Sequence, residues 1–170
     1  MSPSSEKGGS TALRRASEVY YYMSHDLKDL ALELINNDVK VRYLRREEIP
    51  EYVELVNEAL SHSPDPFVPM TIEFAEKWPL ENTLIAEYDG KMVGFLMFET
   101  RGKTGLPVQL GVHPAYRRLG IGTTLLLTLL KKFKDDGIKE VNMKVYENNT
   151  PARNLYKKLN FKIYGIVIEE

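Results

Sequence analysis

The chain has 170 residues, enough for one ordinary domain with a real core. Acidic and basic residues nearly cancel to a formal net charge of -1, which gives no reason to expect affinity for nucleic acid or membrane. Cysteine is absent, which excludes disulfides, thiolate metal sites and a cysteine acyl-enzyme. No apolar run approaches the roughly 20 residues of a membrane span, and the polar start lacks the apolar stretch of a signal peptide. A cytoplasmic location is the expectation.

Residues 1–15, rich in Ser, Gly and Lys, read as a flexible arm. Val19 to Met23 is a short aromatic strand candidate, with Tyr20 to Tyr22 expected to be buried. Leu27, Leu30, Ala31 and Leu34 follow at helical spacing, and Asn36-Asn37-Asp38 ends that helix. Residues 16–38 therefore form a strand-helix extension ahead of a main domain over 39–170. In that domain Val39 to Leu44 alternates like a strand, and Glu47 to Leu60 carries Ile49, Val53, Val56 and Leu60 on one helical face. Ser61 to Met70 holds three prolines and is a loop, after which Thr71 caps a short helix. Thr83 to Tyr88 and Met92 to Glu99 make a hairpin around Asp89-Gly90. Gly105 opens a strand to Val112, residues 121–136 form a Leu-rich helix, and Gly137 stops it. Lys139 to Tyr146 is a strand, Thr150-Pro151 starts a helix, and Phe161 to Ile168 is the last strand. Antiparallel hairpins followed by a strand-helix-strand unit predict an α/β (α+β) fold with a mixed sheet.

The stretch VQLGVHPAYRRLGIG, Val108 to Gly122, ends a strand, makes a basic turn and opens a helix with two glycines. The first N–H groups of a helix have no internal partner, and with the helix dipole they form an anion site. Gly120 and Gly122 let a phosphate approach the backbone, and Arg117 and Arg118 add charged donors. A diphosphate is the natural occupant. The lysine of a nucleotide-triphosphate loop is absent, and Leu125 stands where a dinucleotide fingerprint needs a third glycine.

Arg117, Gly120 and Gly122 spell Arg-x-x-Gly-x-Gly, and this resembles the pyrophosphate loop of the GNAT acyltransferase superfamily. Asn149 to Phe161, NTPARNLYKKLNF, resembles the same family's N-x-x-A-x-x-L-Y-x-K-x-G-F helix, with Asn160 in place of Gly. Asn also tolerates a left-handed cap. The resemblance covers about residues 39–168. It implies an N-acetyltransferase that moves acetyl from acetyl-CoA directly to a primary amine on a protein N-terminus, a lysine, a polyamine or a small metabolite. It also implies a cofactor site at Leu110, Gly111, Val112, Arg117, Arg118, Leu119, Gly120, Ile121, Gly122, Thr123 and Asn149, and no metal. Tyr156 is the family-matched acid for the leaving thiolate, against the plain alternative of a core aromatic. The base is less defined, because Gly105 to Val112 contains no carboxylate. Glu99 is the nearest candidate, Glu147 another, and Gln109 could only position a water. His113, ahead of Pro114, reads as a turn residue, and His25 and His62 lack metal-ligand spacing. The missing base leaves a non-catalytic acyl-CoA-binding regulatory domain as the alternative. Relatives continue into a seventh strand that this sequence lacks in its usual place. Val19 to Met23 is expected to fill that slot, within its own chain or exchanged in a homodimer.

Overall fold

The computed structural model describes residues 17–169. Seven strands form one sheet: β1 (Glu18–His25), β2 (Lys40–Tyr43), β3 (Thr83–Tyr88), β4 (Lys91–Arg101), β5 (Thr104–Val112), β6 (Glu140–Tyr146) and β7 (Lys162–Glu169). Four α-helices accompany them: α1 (Ile49–Leu60), α2 (Ile72–Lys77), α3 (Ile121–Asp135) and α4 (Thr150–Lys158). The spatial order is β2-β3-β4-β5-β6-β1-β7, antiparallel except between β5 and β6. The flexible arm expected over residues 1–15 lies outside the described residues.

The central strands β3 and β4 are buried on both sides. Phe95, Met97 and Ile85 meet Tyr52, Val56 and Ala59 of α1 on one face. Leu84, Leu96 and Phe98 meet Leu125, Leu129 and Phe133 of α3 on the other, together with Val141, Met143 and Val145 of β6. Gly105 marks the close approach of α3, since a Cβ there would sit 2.5 Å from the Phe133 ring. The β3–β4 turn has left-handed backbone at both Asp89 and Gly90 (φ 54° and 76°), as the twist of a tight hairpin requires. Asn160 takes the left-handed conformation (φ 74°) that follows α4.

The N-terminal segment joins the sheet in its own chain. β1 pairs with β6 from Tyr20↔Tyr146 to His25↔Val141 and with β7 from Glu18↔Glu169 to Ser24↔Lys162. Among the described residues it is the one strand that links β7 to the rest. The tyrosines are less buried than expected: Met23 and His25 point into the core, and Tyr20 to Tyr22 are half-buried or exposed.

The helix expected over Leu27 to Leu34 does not form. Leu27 and Asp29 have positive φ (64° and 53°), which a helix excludes, and only Leu32–Leu34 makes a 3-10 turn. Side chains replace helical hydrogen bonds here. The Leu27 N–H donates to His25 Nδ1 at 2.8 Å and the Lys28 N–H to Asp26 Oδ1 at 3.0 Å. Leu27 itself is buried in the core, so packing decides the backbone.

His25 gives this region a pH dependence. Burial lowers its pKa below the ordinary 6.5. The unfolded chain therefore binds more protons, so stability falls as pH drops below about 6.5 toward the lower native pKa. Thermal melts should show a lower midpoint at pH 5.5 than at pH 7.5, with the difference reduced in His25→Gln. An unchanged difference in that variant would exclude His25 as its source.

Candidate active site

β5 and β6 pair only where Thr104 meets Glu140 and Gly105 meets Val141, and beyond that they part. A cavity of about 740 Å³ opens in the gap. The sequence favours parting here because β5 carries a bulge: Met97 opposes Gln109 and Phe98 opposes Pro107, leaving Val108 unpaired. The His113 N–H donates to Val93 O at 2.8 Å, so in the alternating antiparallel ladder Leu110 and Val112 turn their backbone groups toward the gap.

At one end of the cavity lies the basic turn. Gly120 is the N-cap of α3 with φ 72° and makes no side-chain cap, so the N–H groups of Ile121, Gly122 and Thr123 open the helix without internal partners. Arg118, two residues before Gly120, also has left-handed backbone (φ 70°). Arg117 Nη2 donates to Val112 O at 3.3 Å. Leu110, Gly111, Val112, Arg117, Arg118, Gly120, Ile121, Gly122, Thr123 and Asn149 all line the cavity, and Leu119 is not among the lining residues. The Leu119 carbonyl instead accepts from Asn36 Nδ2 at 2.9 Å, and Thr124 Oγ1 accepts the Asn36 N–H at 2.9 Å. Asn36 thus ties the N-terminal segment to the glycine turn. The sequence marks Asn36 only as the end of a helix.

Tyr156 lines the same cavity from α4, half-buried and with its ring 5.8 Å from that of Phe161. Burial, and then the negative charge of Asp65, hold its hydroxyl well above the ordinary phenol pKa of 10. It therefore stays protonated at neutral pH.

The other acid-base candidates lie elsewhere. Glu99 is on β4 outside the cavity lining, with Oε1 3.9 Å from an Arg101 nitrogen. Glu147 accepts from the Tyr21 hydroxyl at 3.1 Å and is also absent from the lining. His113 Nδ1 accepts the Ala115 N–H at 3.0 Å and starts the 3-10 turn Pro114–Tyr116, a turn role. Gln109 does line the cavity. The loop after α1 supplies a residue that sequence reasoning missed. Asp65, between Pro64 and Pro66, lines the cavity and accepts from Asn149 Nδ2 at 2.9 Å. Burial pushes its carboxyl above the ordinary range, against the Asn149 bond that lowers it. The available signal is a carboxylate inside the proline-rich loop Ser61 to Met70.

No helix among the described residues is long and apolar enough to cross a membrane. A chain from Sulfurisphaera tokodaii described as N-alpha-acetyltransferase is 42% identical over 91 residues, covering 46% of this chain and 54% of that one. This chain thus spans about half the length of that relative. The structure resembles that of a GCN5-related N-acetyltransferase from Sphaerobacter thermophilus, with a TM-score of 0.74, 19% identity and coverage of 98% of this chain and 56% of that one. It also resembles the PaiA N-acetyltransferase from Thermoplasma acidophilum, determined in complex with coenzyme A, with a TM-score of 0.64, 23% identity and coverage of 78% and 98%. The model of the acetyltransferase (GNAT) family matches residues 42–161, most of the sheet together with the glycine turn and α4, and with the parted strands above that turn it establishes that this chain belongs to the GNAT acetyltransferase family.

Proposed function

We propose that this chain transfers acetyl from acetyl-CoA directly to a primary amine. The observation that carries the reading is the parting of β5 and β6 above a glycine turn, with Tyr156 in the same cavity. Similarity to a relative named for N-alpha acetylation makes an α-amine the first acceptor to test.

The residues present fit the diphosphate of coenzyme A. A Cβ built at Gly122 would meet Leu155 at 3.6 Å and Val112 at 3.8 Å, ordinary contacts, so internal packing does not require glycine there. Close approach of a phosphate to the free N–H groups does require it. Arg117 and Arg118 line the same cavity as those donors. Acetyl-CoA supplies the acetyl group as an activated thioester. Leu110 and Val112 offer strand-like backbone groups to an extended arm lying in the gap. An N–H of that pair would hold the thioester oxygen as it gains negative charge, a contribution of about 3 kcal/mol in comparable sites.

Tyr156 serves the leaving sulfur. A thiol titrates ordinarily near 8.5, below a phenol whose pKa is raised, so the hydroxyl is first a hydrogen-bond donor. It passes a proton to the sulfur only as it regains one from the attacking nitrogen, so no free phenolate is left. Tyr156→Phe removes that donor and keeps the ring packing. Turnover should fall about 100-fold or more, with CoA affinity within about twofold. The assay is thiol release from acetyl-CoA with an alanine-initiated peptide, lysinamide or spermidine. Wild-type turnover in the phenylalanine variant would leave Tyr156 as a packing residue. Tight CoA binding without thiol release to any amine would favour the regulatory-domain reading instead.

A further inference from the structure

Among the described residues that line the cavity, Asp65 is the only acidic one. Its position is fixed from both sides. The Asp65 N–H donates to Ser63 Oγ at 3.2 Å, and Asn149 Nδ2 donates to Oδ1 at 2.9 Å. Asn149 is itself held, because its Oδ1 caps α4 by accepting the Ala152 N–H at 3.2 Å. Among the described residues no ion pair reaches this carboxylate and no hydrogen bond reaches Oδ2. A half-buried carboxylate without a counter-ion is costly, and the cost is relieved when a cation enters. An amine acceptor arrives at neutral pH as such a cation, and it must lose a proton before it can attack.

We propose that Asp65 is the catalytic residue on the acceptor side: it binds the ammonium group of the incoming amine and takes its proton, with Asn149 as the residue that positions it. This rests on the acetyl-transfer reading above. An N–H bond of the ammonium breaks and an O–H bond forms on Asp65. The freed nitrogen pair makes the C–N bond as the C–S bond breaks. The sulfur takes the Tyr156 proton, and the second nitrogen proton restores the phenol. Asp65 returns its proton to solvent after the transfer. The balance is ammonium plus thioester giving amide, thiol and one proton. Asp65 and Tyr156 line the same cavity, so a carboxylate and a phenol are available in one site for the two proton transfers.

Two substitutions separate this role from a merely structural one. Asp65→Asn keeps the size of the side chain and still accepts from Asn149, but loses the charge. Asp65→Glu keeps the charge and changes the length. Thiol release is measured with acetyl-CoA and the same three acceptors, with CoA affinity by calorimetry and the melting midpoint of each variant as controls. Asp65→Asn should lower kcat/KM for the best acceptor about 100-fold or more while CoA affinity changes less than about twofold. Asp65→Glu should keep about a tenth of the wild-type rate or more. A purely structural residue would reverse that order, with Asn tolerated and Glu destabilising. Wild-type rates in Asp65→Asn would overturn this proposal alone. No transfer by the wild type to any of the three amines would overturn it together with the reading it rests on.

Discussion

A chain that begins at Asp26 should fail to reach the native state, and should aggregate more than the full chain does. β1 is hydrogen-bonded on both sides, to β6 and to β7. Its removal breaks both ladders and detaches β7, which has no other strand neighbour among the described residues. Each lost hydrogen bond contributes about 1 kcal/mol. Met23, at 3% exposure, takes with it the roughly 1.5–3 kcal/mol of a fully buried apolar side chain. His25 leaves an edge-to-face contact with Phe161, its ring centroid 5.0 Å away. Together these losses rival the entire 5–15 kcal/mol that separates folded from unfolded states. The truncation would also expose the β6 edge beside apolar residues, an invitation to intermolecular pairing. Thermal melts and size-exclusion chromatography measure both effects. A truncated chain with the wild-type melting midpoint and a monomeric profile would show that β1 is dispensable.

Gly122→Glu should abolish CoA binding and leave the fold intact. The steric argument for an intact fold is that a Cβ at this position meets nothing closer than 3.6 Å. Its φ is not in the left-handed region, unlike that of Gly120 at 72°. A side chain here is therefore tolerated by the protein and not by a phosphate lying against the first turn of α3. The carboxylate adds repulsion on top of volume, at the positive end of a helix dipole where phosphate would compete with it. Calorimetric titration with CoA should show affinity lowered by about 100-fold or more, equivalent to about 2.7 kcal/mol. The melting midpoint should move by less than that loss implies, because a carboxylate near a helix N-terminus is itself mildly stabilising. Undiminished affinity in the folded variant would remove the glycine turn as the diphosphate site.

Several features of this protein are local, and the sequence by itself determined them. Gly120 needs a left-handed N-cap, Asp89-Gly90 a tight hairpin and Asn160 a left-handed exit from α4, and each is a property of one or two residues. The spacing of Ile49, Val53, Val56 and Leu60 records the buried face of α1. The Arg-x-x-Gly-x-Gly turn and the Asn149–Phe161 segment carried the family because their chemistry is contiguous in the chain. Other features were decided only by tertiary structure. Helical spacing at Leu27 to Leu34 lost to the positive φ of Leu27 and Asp29, because burying Leu27 in the core and bonding to His25 and Asp26 satisfies the same backbone differently. Asn36 meets Leu119, and Asp65 meets Asn149, across separations of 83 and 84 residues. Periodicity reports which face of an element is buried, but not which distant loop is folded over it. The closure of the Asp65 loop onto α4, and the seat of β1 between β6 and β7, follow from packing the whole chain around one sheet.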